Sequence, residues 1–581
     1  MAKSISSLLV EMLINAGATH AFGVTGDAIN YFVKAINHSD EIEWVGMRHE
    51  GNAAFAAYAQ AAFENKLGVC AGTVGPGSLH LINGLYSAKK ERVPLIAVSG
   101  QVSRSQLGSN YFQEADLKSI FDDVCAYQAI IRTPEDAVRG FQKAIKIAIS
   151  QRTVCRIELP QGLGDESVKN SHFMHQMTKP YAVLHPNSEV IKRAVNLIDS
   201  KQAITILAGD GCRKARTEVL QLSEKLNAPI VFTLRSADIF DMDEENVVGQ
   251  TGLIGNPSGY KAVMNCDLLL MLGTDFPYDE FLPHNTSKIQ VDKRFENIGN
   301  RTSVNVSVWA DVKPTVDLLV HQVQQKSDES FLQKYKSAFE DWRQKKRESF
   351  SVNQKVKVLH PQIFTNTVNQ HASNDAIFVL ETSTAAIWSA RTISFHSGRK
   401  ILGSFNHGSM SVGLPAAIGA QLSHPNREVW ALCGDGGFNM SLQDFMTAVE
   451  RKLPLKIIIF NNSQLNLIKL EMERDGESPD LEAVELKNPD FAAFAKLYGG
   501  DGVKVDRIED IENAILKAKQ SEKPFIIDAI VTRGELPFPP HISIKDAIKL
   551  TESNIKETVQ IMKGDQNHLQ NMLDELKSFL E

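Results

Sequence analysis

Residues 428–462, EVWALCGDGGFNMSLQDFMTAVERKLPLKIIIFNN, decide how this chain is read. EVWALC is a short apolar strand, and Gly434-Asp435-Gly436-Gly437 follows it as a turn. Apolar residues at helical spacing run through SLQDFMTAVERK, and a second strand, LKIIIF, ends in Asn461-Asn462. A right-handed crossover puts two parallel strand ends on one edge of a sheet. Asp435 and Asn462, 27 residues apart, then share that edge. A carboxylate, an amide oxygen and a carbonyl of the following loop, at Gln464, suit octahedral Mg²⁺ holding a diphosphate. Gly436 and Gly437 let backbone amides approach phosphate oxygens at a helix N-terminus. The chain supplies its own control. Gly209-Asp210-Gly211 also follows a strand, but the residue 27 positions past Asp210 is Ala237. That second turn reads as a simple turn or a nucleotide contact.

Working outward, the same alternation fills two further blocks. The first holds HAFGV, the Ala-rich helical GNAAFAAYAQAAFE, LGVCAGTVGPG and the strand VPLIAVSG. The second holds ITILAGDG, the helical TEVLQLSEKLN, then APIVFTL, DLLLMLGTDF and KIQVD. Short β-branched strands between amphipathic helices predict an α/β protein of three doubly wound parallel-sheet domains. Ligands in such sheets sit at the carboxyl ends of strands, where most of the polar and Gly-rich turns fall. Three joints divide the blocks: polar 170–186, charge-rich 321–357 (expected to be helical), and the three-proline stretch 533–541. The expected domains are 1–170, 187–325 and 355–532, with a helical tail at 541–581. His172 and His175 lie in the first joint without a third ligand nearby and read as a solvated linker.

Composition sets outer bounds. The 581 residues are 43% hydrophobic and 23% charged, which excludes collagenous, coiled-coil and largely disordered chains. Lys+Arg 62 against Asp+Glu 69 leaves −7, so no basic excess points to nucleic acid. Six scattered cysteines form no CxxC pair, so neither a zinc site nor a secreted disulfide framework is indicated, and reduced thiols in a cytoplasm fit best. The N-terminal segment, with Leu8, Leu9, Met12 and Leu13 at helical spacing, is too polar for a signal peptide. No run approaches the ~18 apolar residues of a membrane span.

The GDG…NN spacing resembles that of the thiamine diphosphate enzymes, and the resemblance runs through nearly the whole chain. It is greatest to the bacterial quinone-linked pyruvate dehydrogenases, also called pyruvate oxidases. The stretches that carry it are GVTGDAIN, MRHEGNAAFAA, GPGSLHLINGLY, GSNYFQE, TGLIG, LGTDFPY and ILGSFNHGSM. The resemblance implies three domains that bind, in order, the aminopyrimidine, FAD and the diphosphate with Mg²⁺. It also implies a homotetramer whose active sites are each shared between two subunits.

By the same resemblance Glu50 is the buried acid that drives the aminopyrimidine to its imino form. Phe112 and Gln113 would face substrate, and Glu471 would stand near it. Gly408, Ser409 and Met410 would hold the cofactor in its bent form. Asp435, Gly436 and Gly437, with Asn462, Ser463, Gln464, Leu465, Asn466, Leu467 and Ile468, would hold the diphosphate. Thr251, Gly252, Leu253, Ile254, Thr274, Asp275, Phe276, Pro277, Tyr278, Asp292 and Asp311 would contact FAD. Asp292, at the end of KIQVD, suits a ribose diol, although no GxGxxG is present. Leu467 is a departure from the family, which carries an aromatic there.

The activity implied is oxidative decarboxylation of pyruvate to acetate and CO₂, with electrons passed through FAD to a membrane quinone. Three alternatives stay open: a phosphate-dependent oxidase giving acetyl phosphate and peroxide, an acetolactate synthase, and a non-catalytic nucleotide-binding scaffold. The tail bears on the acceptor. Leu569, Met572, Leu573, Leu576, Phe579 and Leu580 form one helical stripe, although 565–581 carries a formal −3. Lys545, Lys549, Lys556 and Lys563 could bring it to an anionic inner membrane face as a peripheral contact.

Overall fold

The computed structural model describes residues 3–169, 177, 182–355, 359–395, 398–475, 481–533 and 540. Within them stand three six-stranded sheets, each wholly parallel. The first runs, edge to edge, Glu43–Gly46, His20–Gly23, Gly68–Gly72, Leu95–Gln101, Val154–Pro160, Tyr127–Ile130. The third runs Lys400–Gly403, Ile377–Leu380, Val429–Gly434, Lys456–Asn461, Phe525–Ile530, Asp501–Val505. Counted in chain order within each sheet, both read 2-1-3-4-6-5. The middle sheet runs Val247–Gln250, Ile230–Phe232, Ile204–Ala208, Leu268–Leu272, Ser287–Asp292, Val306–Trp309. Its order, 3-2-1-4-5-6, is that of dinucleotide-binding folds.

The apolar runs seen in the sequence become central strands buried on both faces, as parallel sheets require. Helix Glu50–Glu64 is buried along Glu50–Ala61, because its alanines let it lie between the first sheet and the third domain. Helix Gly413–Ser423 packs on it so closely that a Cβ at Gly419 would stand 2.1 Å from the Ala56 carbonyl oxygen. One apolar cluster accordingly joins side chains of the first and third sheets.

The middle unit runs from helix Ser188–Asp199 to helix Val312–Gln322, and the charge-rich helix Ser330–Lys355 leads to the third. SLQDFMTAVERK is not the single helix its periodicity predicts. A first turn of helix already occupies Asp435–Asn439, and the chain then re-forms as a 3₁₀ turn, Leu442–Asp444, and helix Phe445–Glu450. The break turns Asp444 toward the first domain, whose groups it bonds. The tail 541–581, His172 and His175 lie outside the described residues, as does most of 533–541. Among the described residues no helix is long and apolar enough to cross a membrane. All six cysteines are buried and free, and burial raises the Cys125, Cys155, Cys212 and Cys266 thiols to about 12.

Candidate active site

The crossover from Val429–Gly434 to Lys456–Asn461 pairs Gly434 with Phe460, so Asp435 and Asn462 leave the sheet side by side. Asp435 is buried, and every donor it is seen to accept from is neutral. Oδ1 takes the Gly436 amide at 2.9 Å, while Oδ2 takes the Ser463 amide and Asn488 Nδ2, each at 2.7 Å. Burial pushes its carboxyl up to about 6 despite these bonds. Ser463 adopts a left-handed backbone (φ 55°), which folds the chain so that Asn462 Oδ1 accepts the Gln464 amide at 3.1 Å. Gln464 is then fixed in an antiparallel bridge with Glu485, and Arg533 Nε donates to the Asn462 carbonyl at 3.0 Å. A buried carboxylate with neutral donors only, beside an amide oxygen, is a donor set that fits a hard divalent cation.

Met410 meets the same turn: a Cβ on Gly436 would lie 3.4 Å from its Cε and 2.6 Å from a Leu465 methyl. Gly408 (φ 69°) and Ser411 (φ 74°) bend the chain around it, and Asn83 of the first domain holds Ser409 at 2.9 Å. Beneath the bend lies a residue that sequence reading missed. Glu381, which follows strand Ile377–Leu380, is fully buried and accepts the amides of Thr382 (3.1 Å) and Gly413 (3.0 Å). Burial raises its carboxyl to about 7, and a Cβ on Gly437 would collide with it at 2.6 Å. The available signal was an acid closing an apolar strand.

Glu50 opens its helix, with His49 as N-cap accepting the Gly51 amide at 3.0 Å. Its carboxylate lies 2.9 Å from His80 Nδ1, and the two imidazoles stack at 4.5 Å. Gln113 (φ 63°) packs on the turn beside it. A Cβ at Gly75 would stand 2.6 Å from the Gln113 carbonyl oxygen, and one at Gly77 would stand 3.0 Å from Glu50 Oε1. Phe112 is 78% exposed. Glu50 belongs to the first domain and bonds His80, whereas Asp435 and Asn462 belong to the third and bond the turn at Ser463 and Gln464.

A cavity of about 1250 Å³ lies between the domains, larger than the ~300–1,000 Å³ usual for one small ligand. Thr251–Ile254, Thr274–Tyr278, Asp292 and Asp311 all line it, together with Gly408, Leu467 and Glu471 from the third domain. Asp292 accepts the Arg294 amide (2.8 Å) and Asn297 Nδ2 (3.0 Å), while Asp311 accepts the Leu184 amide (2.8 Å). Ile468 faces outward, 42% exposed. The arginines of the lining were not foreseen. Arg92 and Arg152 come from the first domain on left-handed backbones (φ 57° and 52°) and are joined by a 3.1 Å bond from Arg152 Nε to the Arg92 carbonyl. Arg92 reaches Asp275 and Asn297, and Arg235 pairs with buried Glu91 at 2.9 Å. Acids at strand ends and arginines across an interdomain cleft fit a ligand with sugar hydroxyls and phosphates.

Comparison with known families matches all three units. Residues 3–120 match the thiamine pyrophosphate enzyme N-terminal binding domain, 191–319 the central domain, and 381–529 the C-terminal binding domain. The chain belongs to the thiamine pyrophosphate enzymes. Among relatives of this thiamine pyrophosphate enzyme, YdaP of Bacillus subtilis, named as a thiamine pyrophosphate-containing protein, is 32% identical over 99% of both chains. The pyruvate oxidase of Lactiplantibacillus plantarum is 28% identical over 91% of this chain and 89% of its own. An acetolactate synthase large subunit of Cyanidium caldarium is 29% identical over 91% and 94%. Thiamine pyrophosphate, also called thiamine diphosphate, is therefore the cofactor of this family.

Proposed function

We propose that this enzyme converts pyruvate, water and a quinone to acetate, CO₂ and quinol, using thiamine diphosphate, Mg²⁺ and FAD. One observation carries the reading: a single cavity runs from the middle-domain acids and Gly-rich turns to Gly408, Leu467 and Glu471 beside the diphosphate turn. Two-electron transfer needs its two cofactors that close. When bound, thiamine diphosphate supplies the electron sink for decarboxylation and FAD the two-electron acceptor.

The chain's own residues position and protonate. Asp435 and Asn462, with the Gln464 carbonyl, would hold Mg²⁺, which would supply the charge that neutralises the diphosphate. Met410 supplies the apolar wall against Gly436. Glu50 holds the proton exchanged with the aminopyrimidine, and His80 orients its carboxylate. Phe112, Gln113 and Glu471 enclose pyruvate, and Leu467 keeps that wall apolar without a ring. In this reading, as the family resemblance implies, Glu50 of one subunit completes the centre built on Asp435 of another in a homotetramer. The quinone is met at a membrane surface through 541–581.

Similar identity to acetolactate synthases favours a second reading, in which another 2-oxo acid captures the decarboxylated fragment and any flavin is structural. The test is the purified protein with pyruvate, thiamine diphosphate, Mg²⁺ and a soluble quinone. Bleaching of flavin absorbance with acetate formation and quinone reduction is expected. Acetolactate without bleaching supports the second reading, and strict phosphate dependence with peroxide overturns the quinone assignment. Chain truncated after residue 540 is expected to lose stimulation by lipid vesicles.

A further inference from the structure

Asp444 belongs to the third domain, yet it bonds chiefly to the first. Its Oδ1 accepts the Arg48 amide and the Thr447 hydroxyl, both at 2.8 Å, and its Oδ2 accepts Asn52 Nδ2 at 2.5 Å. Arg48 and Asn52 stand two residues to either side of Glu50. Thr447 adds a longer bond, 3.4 Å, to the Gly46 carbonyl. Arg48 pairs with Glu450, and Arg451 pairs with Glu43. The segment 444–451 therefore grips the chain from strand Glu43–Gly46 to the first turn of helix Glu50–Glu64.

Adhesion alone does not call for this carboxylate, since the helices Glu50–Glu64 and Gly413–Ser423 already join the domains at van der Waals distance. Asp444 is fully buried, a costly place for a charge, and its three bonds are what offset that cost. Two of them end on the groups that bracket Glu50.

We propose that Asp444 is a positioning residue for Glu50: by holding the Arg48 amide and the Asn52 side chain it sets where the first residue of the helix directs its carboxylate. The inference rests on Glu50 being the acid that meets the aminopyrimidine. Asp444 follows Asp435 by nine residues on the same crossover. The crossover that carries Asp435 for one centre thus also orients the Glu50 that completes another. A displacement of ~1 Å at such a group costs on the order of a hundredfold in rate.

The test compares Asp444→Ala, Asp444→Asn, Asn52→Ala and Glu50→Gln. Three quantities are read: thiamine diphosphate affinity, the rate at which the bound cofactor exchanges its thiazolium C2 proton for deuterium, and amide hydrogen exchange of 48–52 in the cofactor-free protein. Asp444→Ala is expected to slow C2 exchange about 10- to 100-fold while affinity changes less than about threefold. It should also expose the amides of 48–52 and spare those of 429–437. Asp444→Asn keeps an acceptor for Arg48 and lets the Asn52 amide turn, so it should retain most of the exchange rate.

Wild-type C2 exchange in Asp444→Ala overturns the proposal, as do parallel losses of rate and affinity in both Asp444 variants. Should the alanine variant not fold, Asn52→Ala and Asp444→Asn decide it by the same split. If Glu50→Gln itself exchanges at the wild-type rate, the reading of Glu50 falls instead. The cofactor-free hydrogen exchange then still decides whether Asp444 orders 48–52.

Discussion

Gly209-Asp210-Gly211 and Gly434-Asp435-Gly436 are the same tripeptide in the same kind of place. Each follows a parallel strand beside the point where the order of its sheet reverses. Their carboxylates nevertheless have opposite surroundings. Burial would raise Asp210, but Arg213, 3.0 Å from it, and Arg235 hold it below the ordinary carboxylate range. Asp435 has neutral donors around it and is pushed up to about 6. An acid that already owns a cation within the chain builds a wall. An acid given neutral donors alone has the surroundings that fit a cation from outside.

The largest expected effect tests that difference directly. Asp435→Asn should weaken Mg²⁺-dependent thiamine diphosphate binding by about a hundredfold or more, since losing even an outer-sphere partner of a metal costs 10–100-fold. Asp210→Asn should leave it within about twofold, because no metal is assigned there. Titration followed by intrinsic fluorescence reads both. Equal losses would erase the comparison.

Acid should sharpen it. The Asp435 carboxyl is raised in the fold, so its contribution to stability is complete below the unfolded carboxyl range, near 4, and is lost as pH rises through about 6. Asp210 is depressed, so its contribution is present above that range and is lost as pH falls through its folded value. Without metal, Asp435→Asn should therefore gain melting temperature relative to the parent between pH 4 and pH 7, and Asp210→Asn should not. With metal, the proton competes, and Mg²⁺ affinity should fall about tenfold per pH unit below about pH 6.

Why one turn was legible and its surroundings were not follows from distance along the chain. Strand–helix alternation, the paired strand ends at Asp435 and Asn462, and the acid closing strand Ser287–Asp292 are local patterns, readable within about thirty residues. Asn488, which tethers Asp435 from 53 residues away, has no such pattern. Nor does Asp444, which meets Asn52 from 392 residues away. Arg92 and Arg152 line the middle-domain cavity on left-handed backbones, a conformation no composition rule assigns to arginine. The strand orders also lay beyond reach: the same alternation folds as 2-1-3-4-6-5 twice and as 3-2-1-4-5-6 once.

The smallest expected effect concerns the glycines that flank the two acids. A Cβ on Gly209 would stand 2.3 Å from the Gly273 carbonyl oxygen, a main-chain atom of the neighbouring strand end. A Cβ on Gly436 would meet a Leu465 methyl at 2.6 Å, the far end of a side chain that can rotate. Gly209→Ala must therefore push backbone apart and should cost about 1–3 kcal/mol of stability, whereas Gly436→Ala should cost less. The order should reverse for ligand binding, because the methyl on Gly436 also touches Met410 Cε at 3.4 Å, the side chain that the proposed function sets against the cofactor. Chemical denaturation and thiamine diphosphate titration of the two variants measure both orders. A wall turn should fail in stability first and a receptor turn in affinity first, so a variant pair that lost both in step would show that the two turns differ only in charge.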